Sequence, residues 1–429
     1  MKIQTERTLT EPSHPLSYPA FRLFWVARLC TTMAQGGMVV VLGWQVYEVA
    51  RLTRSIKEAA FQLGVVGLVQ FIPLFLLVLV TGWTADHVDR RQIARICSVV
   101  QLGCALLLGW LNMSHGVTLG ALFAVAALFG VVRAFSMPAL GALAPDLVPA
   151  EVLPKAIATN SIASRLGAIV GPASVGFLYA AGPVVPYAFA SAMFALALVC
   201  LMGIGPVPLT RKNPGVNPWR QMIEGVAYVR HHPLILGAIS LDLMAVLLGG
   251  ATALLPVFAH DILAIGPSGL GTLRAAPALG AMLAAFWFSW KPLDRGVGVK
   301  MLAAVAVYGV AILVFGLSRW LPLSLLCLTV SGAADMFSVY VRQSLIQLST
   351  PQDMRGRVGA VSSLFISASN ELGEAESGFV AALIGPVATV IAGGAGAIAV
   401  TLVWSRLFPA LRRAHTFDIR PFERTRRTP

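Results

Sequence analysis

Along the 429 residues, long runs of Leu, Ala, Val, Gly and Phe alternate with short polar breaks, and twelve such runs can be read. They fall at roughly 21–49, 59–84, 92–113, 117–143, 156–181, 184–204, 234–260, 269–290, 299–317, 321–347, 357–383 and 386–408. Each has the length a helix needs to cross a hydrocarbon core of about 30 Å. The runs lack period-two alternation and far exceed the roughly 10-residue strands of membrane barrels, which excludes a β-barrel. The pattern therefore predicts an all-α integral membrane protein with twelve transmembrane helices. The breaks divide it into a tail at 1–20, a six-helix bundle at 21–204, a connection at 205–233, a second six-helix bundle at 234–409 and a basic tail at 410–429. The connection holds Pro206, Pro208, Pro214 and Pro218, and Gln221–Val229 is expected to form a short surface helix. No connection between spans is long enough for a soluble domain.

The two bundles repeat one another. At an offset of 202 residues, Gly130 meets Gly332, Phe135-Ser136 meets Phe337-Ser338 and Pro149 meets Pro351. Lys155 likewise meets Arg357, Gly171 meets Gly373, and Gly176-Phe177 meets Gly378-Phe379. A weaker echo, at an offset of 213, links Gly36-Gly37…Glu48 to Gly249-Gly250…Asp261. Two copies of one membrane unit imply bundles related by a pseudo-two-fold axis, with a site between halves that rock. One mismatch stands out: Arg133 falls opposite Asp335, so a charge changes sign at an equivalent depth.

Charge is sparse, at 12% of residues against about a quarter in soluble domains, and mean hydropathy is +0.77. The net charge of +13 raises the question of nucleic acid, but its distribution answers it. Of 32 Lys and Arg, 23 lie in alternate connections and the tails, and only Arg51, Arg54, Lys57 and Arg319 lie in the opposite connections. The positive-inside rule then places both termini and the 205–233 connection in the cytoplasm of a cell inner (plasma) membrane. Basic residues thus report topology and contact with the lipid bilayer, not nucleic-acid binding. Five scattered cysteines without a Cys-x-x-Cys motif support neither disulfides nor a metal site. Met1–Ser17 lacks the apolar core of a cleavable signal peptide.

Two motifs carry mechanism. Between the second and third spans the chain reads Gly82-Trp-Thr-Ala-Asp86-His-Val-Asp89-Arg90-Arg91. A carboxylate at a helix C-terminus opposes the macrodipole unless a cation or another helix N-terminus compensates it. Gly82, Asp86, Arg90 and Arg91 therefore read as a conformational latch at one membrane face. In the fifth span, Gly167, Gly171, Pro172 and Gly176 set small residues at a spacing suited to close helix approach, and Pro172 bends the helix.

The sequence resembles the major facilitator superfamily in that loop motif, although Asp89 stands where the family's usual Gly precedes the basic pair. The second-half counterpart, Trp290 through Gly296, keeps Asp294 but lacks the leading Gly. The resemblance implies the major facilitator fold. Within the superfamily, the fifth-span motif resembles that of antiporters, especially exporters, with Val175 replacing one Gly of the final pair. The stretches Arg342–Arg357 and Ser367–Gly378 resemble the drug and siderophore exporter branch, and together these likenesses span nearly the whole chain.

Charges inside spans are costly and point to function by default. The first half's deep charges are basic, Arg28, Arg133 and Arg165; the second half's are mostly acidic, Asp242, Asp335, Glu371, Glu374 and Glu376. Glu371 and Glu374 share a helix face; Glu376 points away and is expected to be structural. Arg274 and Arg342 are expected near helix ends, snorkelling. The site candidates are Arg133, Asp335, Glu371, Glu374, Asp242 and Arg28, as carriers of protons or contacts for a charged substrate; permanent interhelix ion pairs are the competing reading. The histidines receive no role.

The expected function is secondary active transport: export of a small amphipathic molecule, of drug or siderophore class, driven by an ion gradient, with protons the coupling ion implied by the resemblance. No cofactor is expected and the protein is expected to be a monomer. An importer or uniporter is the alternative. An intramembrane enzyme is remote, because no His-Glu-x-x-His, Gly-x-Ser-x-Gly or P-loop is present; a receptor would need longer outer loops.

Overall fold

The computed structural model describes residues 14–149, 151–206, 218–291, 293, 295–352 and 354–416. The first half contains α1 (Pro19–Arg51), α2 (Ile56–His87), α3 (Arg90–Met113), α4 (Leu119–Leu143), α5 (Leu153–Ala181) and α6 (Val185–Met202). An amphipathic helix, α7 (Pro218–His231), precedes the second half; it is longer than the Gln221–Val229 expected from the sequence. Then come α8 (Pro233–Leu248), α9 (Leu255–Val257), α10 (Gly266–Trp290), α11 (Val297–Leu317), α12 (Leu321–Ser349), α13 (Arg355–Ile384), α14 (Pro386–Leu407) and the single turn α15 (Pro409–Arg412).

Local chemistry sets many of these ends. Helices α1, α7, α8, α14 and α15 begin on proline, whose missing N–H costs nothing in the first turn. Ser55 and Glu58 form a reciprocal capping box at the start of α2. Gly182 and Gly385, at equivalent ends of α5 and α13, take φ of +151° and +95°, and each is followed directly by proline. The repeat thus extends to the turns.

Eleven helices among the described residues are long and apolar enough to cross a membrane. The remaining predicted span, α13, is 30 residues long but carries Arg355, Arg357, Glu371, Glu374 and Glu376. It packs between α2 and α8, so its charges meet protein rather than lipid. Around the outside, side chains such as Leu76, Trp110, Phe286 and Leu402 are more than half exposed, as a bilayer solvent requires.

The halves pack alike. Helix α1 lies on α5 as α8 lies on α13; α2 pairs with α4 as α10 does with α12, and α3 with α6 as α11 does with α14. One departure concerns the seventh predicted span, which is not one helix. It breaks after Leu248 at Gly249-Gly250, passes through a 3-10 turn (Ala251–Leu254) and α9, and ends in a π-turn, Phe258–Ile262. Tyr308 donates to the Gly249 carbonyl at 2.8 Å, and a side chain at Gly250 would strike Ser377 and Gly373. Pro256 adds an absent N–H just beyond. At the echoed Gly36-Gly37, α1 runs on unbroken.

The halves meet most closely towards the face away from α7 and α15. Helix α2 packs on α13, and α5 on α10. A Cβ on Gly176 would enter the backbone of Gly271, and one on Gly378 would enter that of Gly64. We call this the far face, and the side bearing α7 and α15 the terminal face.

Candidate functional site

Mid-membrane, the bundles enclose a cavity of about 420 Å³. Arg133 reaches it from α4, Arg274 from α10, Asp335 from α12, and Asn370, Glu371 and Glu374 from α13. At ~1.5 Å per residue, Asp335 lies about 21 Å along α12. Arg133 and Asp335, opposed across the repeat, thus line one cavity from opposite halves.

Arg133 is held by two partners. Its Nη2 lies 2.8 Å from Glu371 Oε1, joining the two halves. Its Nη1 approaches Gln70 Oε1 at 3.5 Å, and Gln70 is buried. Glu374 lies within electrostatic reach of Glu371, Arg274 and Arg133. Arg274 Nε is buried without a hydrogen-bond partner. The chamber thus gathers two guanidiniums and three carboxylates, a set that can exchange partners, hold protons or receive a charged ligand.

The remaining candidates sit elsewhere. Asp242 on α8 forms a buried ion pair with Arg342 on α12, inside the second half. Arg342 therefore does not snorkel, as expected from its place near a helix end: it is 2% exposed, because Asp242 compensates its charge there. Arg274 does not snorkel either. It lies about 12 Å into α10, and close packing of Gly271 on α5 turns that helix towards the cavity. On α1, Arg28 donates from Nε to Ser164 Oγ at 2.8 Å and joins α1 to α5.

The helix 5 motif is a packing device between and within halves. Cβ atoms at Gly167 and Gly171 would overlap the α1 backbone near Met33, and Pro172 packs against Gly36. Gly176 instead touches α10 of the other half. In the loop motif, Arg90 Nη1 bonds Asp146 at 2.6 Å and the Ala142 carbonyl at 3.0 Å. Arg91 bonds Asp89, which also caps α3, and the Ile204 and Gly205 carbonyls. Hydrogen bonds from Arg91 hold the Asp89 carboxyl below the usual carboxylate range. These contacts all lie within the first half. The surroundings of Gly82, the side chain of Asp86 and the whole of Asp294 lie outside what the structure describes.

A second charged cluster seals the far face. Asp261, in the π-turn, receives Arg51 Nη2 at 3.0 Å and Nε at 3.2 Å. It also accepts the Tyr47 hydroxyl at 2.5 Å and lies 3.2 Å from His260 Nδ1. Lys57 Nζ donates to the Leu383 carbonyl nearby, at 3.1 Å. Sequence reasoning assigned this cluster no role. The signal was available in the Glu48–Asp261 echo and in the basic residues at Arg51–Lys57, which break the positive-inside pattern.

Two similarly built six-helix halves enclosing a charged mid-membrane cavity define a multi-pass transporter of the major facilitator fold. The chain belongs to the family described as transmembrane secretion effector, whose profile matches residues 10–427. It is 26% identical over 402 residues to the enterobactin exporter EntS of Citrobacter koseri, covering 92% of this chain and 94% of that protein. It is 25% identical to Escherichia coli EntS over the same length and shares. Among solved structures it resembles an inward-facing bacterial homologue of the human lysosomal transporter Spinster, with a TM-score of 0.69, 15% identity and coverage of 94% and 99%. The inward-open xylose transporter XylE from E. coli matches with a TM-score of 0.63, 15% identity and coverage of 90% and 96%. At these identities the structural matches establish the fold alone.

Proposed function

We propose that the protein is a proton-coupled exporter of a small amphipathic molecule of the drug or siderophore class. It works by alternating access as a monomer in a bacterial inner membrane, with the terminal face in the cytoplasm. The observation that carries this reading is the mid-membrane convergence of Arg133 and Arg274 with Asp335, Glu371 and Glu374 beneath a sealed far face. Export is supported by the helix 5 glycines, by the family, and by the similarity to enterobactin exporters.

In this reading the cavity carboxylates take protons when it opens outward and lose them when it opens to the cytoplasm, and this returns the emptied carrier. Glu371 is the central group, because a proton on it releases Arg133 from their 2.8 Å contact. The latch of Gly82, Asp86, Arg90 and Arg91 stabilises the cytoplasm-closed state, and the Arg51–Asp261 cluster its opposite.

Inside-out vesicles carrying a pH dye test this, with an imposed gradient and a panel of siderophores, macrolides and dyes. Substrate accumulation should depend on the gradient and release protons. Glu371→Gln and Asp335→Asn should insert normally and lose gradient-driven accumulation. Accumulation indifferent to the gradient would overturn proton coupling; wild-type activity in both variants would return these carboxylates to structural pairing.

A further inference from the structure

A second void, of about 240 Å³, lies between α2, α4 and α13 on the terminal-face side of the Arg133–Glu371 pair. Its apolar wall is formed by Phe71, Leu74 and Phe75 of α2, Met137 and Pro138 of α4, and Leu364 of α13. The Phe71 and Phe75 rings stack at 5.5 Å between centroids. Phe75 and Met137 are each about half exposed, so the void is open rather than sealed. Its polar lining is three hydroxyls, Thr81, Ser363 and Ser367, and the Arg133 guanidinium. Among the residues lining it there is no carboxylate, and its single charge is positive. Arg133 lines the central cavity as well, so this one side chain forms part of the wall of both voids.

We propose that this small cavity is a loading subsite for an aromatic anion, with the ring against Phe71, Phe75 and Met137 and the negative group on Arg133. The size suits one or two fused rings, and stacked aromatic walls favour a planar partner. A charge-assisted bond to a guanidinium in a low-dielectric setting supplies the orientation. The anion and Glu371 compete for the same guanidinium. When Glu371 is displaced, Arg274, with its Nε unpartnered, is the other cation of the central cavity available to it. The exchange moves this shared side chain and joins the subsite to the central chamber. The proposal rests on reading the chain as a carrier of amphipathic molecules, but equilibrium binding depends on neither transport direction nor coupling ion.

The test uses the full chain in lipid nanodiscs, titrated with dansylglycine by fluorescence anisotropy and corrected against empty nanodiscs. Neutral dansylamide and ring-free N-acetylglycine are the comparison probes. Dansylglycine should bind about tenfold more tightly than dansylamide, an amount one charge-assisted hydrogen bond supplies, and N-acetylglycine should not displace it. Arg133→Gln should weaken binding about tenfold, while Glu371→Gln, which removes the competitor, should tighten it. Met137→Trp, which fills the void and leaves the ion pair intact, should abolish binding and guards against misfolding of the Arg133 variant. Equal affinity for the two dansyl probes, weakening by Glu371→Gln, or full binding in Met137→Trp would each overturn the subsite. Loss of gradient-driven transport with binding preserved would count against the exporter reading alone.

Discussion

Replacing Arg51 with Ala should open the far face. Arg51 offers Asp261 two parallel N–H···O bonds, at 3.0 and 3.2 Å, and the side chains are 26% and 14% exposed. Hydrogen bonds to charged groups contribute about 1.5–3 kcal/mol, whereas fully exposed ion pairs contribute about 0.2–1 kcal/mol. This half-screened bidentate pair falls between, at about 1–2 kcal/mol. Its loss should shift the ratio of outward-open to outward-closed carriers by roughly 5–30-fold. A reporter is available at Ser331, which is buried and lines the cavity; the five native cysteines are buried. In whole cells, Ser331→Cys should react with a membrane-impermeant maleimide 5–30-fold faster when Arg51→Ala is present. Asp261→Ala should do more, because Tyr47 and His260 also address that carboxylate. The double variant should add little to Asp261→Ala. Unchanged labelling, or strictly additive effects of the two substitutions, would refute the assignment of this pair as the far-face lock.

Three further outcomes follow from packing and charge. Gly176→Leu would drive a side chain into the Gly271 backbone; it should insert normally, label from outside at Ser331→Cys, and transport at least about tenfold more slowly, since closure is sterically blocked. Asp242→Ala strands the buried Arg342 charge and should cost about 3–5 kcal/mol, read as lost monodisperse protein in fluorescence size-exclusion, whereas Asp242→Leu with Arg342→Met should recover it. Asp89→Ala removes the α3 cap and the Arg91 partner and should cost about 1 kcal/mol at neutral pH. Because the folded carboxyl is held low, its charge-dependent part is fully present above the unfolded value of about 3.9. That part fades as pH falls through the lower folded value; thermal melts showing an equal gap at pH 6 and pH 3 would contradict this.

Apolar runs made the spans readable, and lipid is the reason: every lipid-facing backbone must be helical, so hydropathy alone sets the elements. The repeat made the two-bundle architecture readable too, and the structure brings its mismatched positions, Arg133 and Asp335, to one cavity. Side-chain direction was less accessible. Arg274 and Arg342 sit at unremarkable depths, and only the neighbours decide the outcome. Gly271 turns Arg274 inward, and Asp242 makes the burial of Arg342 tolerable. The break in the seventh span shows the same limit. Adjacent glycines continue a helix at Gly36-Gly37 and end one at Gly249-Gly250, where Tyr308 takes up the freed carbonyl. The far-face cluster was hidden because Arg51 and Asp261 are 210 residues apart and come together only when the halves dock.

Both interhalf ion pairs among the described residues set a base of the first half against an acid of the second, Arg51 with Asp261 and Arg133 with Glu371. The echoed acid of the first half, Glu48, stays at home and accepts the Tyr179 hydroxyl. Polarity between the halves is therefore built into the interface, which a charge swap can probe. Arg133→Glu combined with Glu371→Arg keeps one pair across the same gap, so the protein should fold and elute as the wild type does. It moves the carboxylate to α4, beside Gln70 and away from its neighbour Glu374, and sets a guanidinium next to Glu374 instead. If the pair only fastens the halves, transport survives the swap. If Glu371 works as part of the α13 carboxylate group, gradient-driven transport disappears while the swap remains as well folded as the wild type. The second outcome is expected, because three carboxylates and two guanidiniums share one cavity and a single ion pair, Arg133 with Glu371, ties only two of these five charges across the interface.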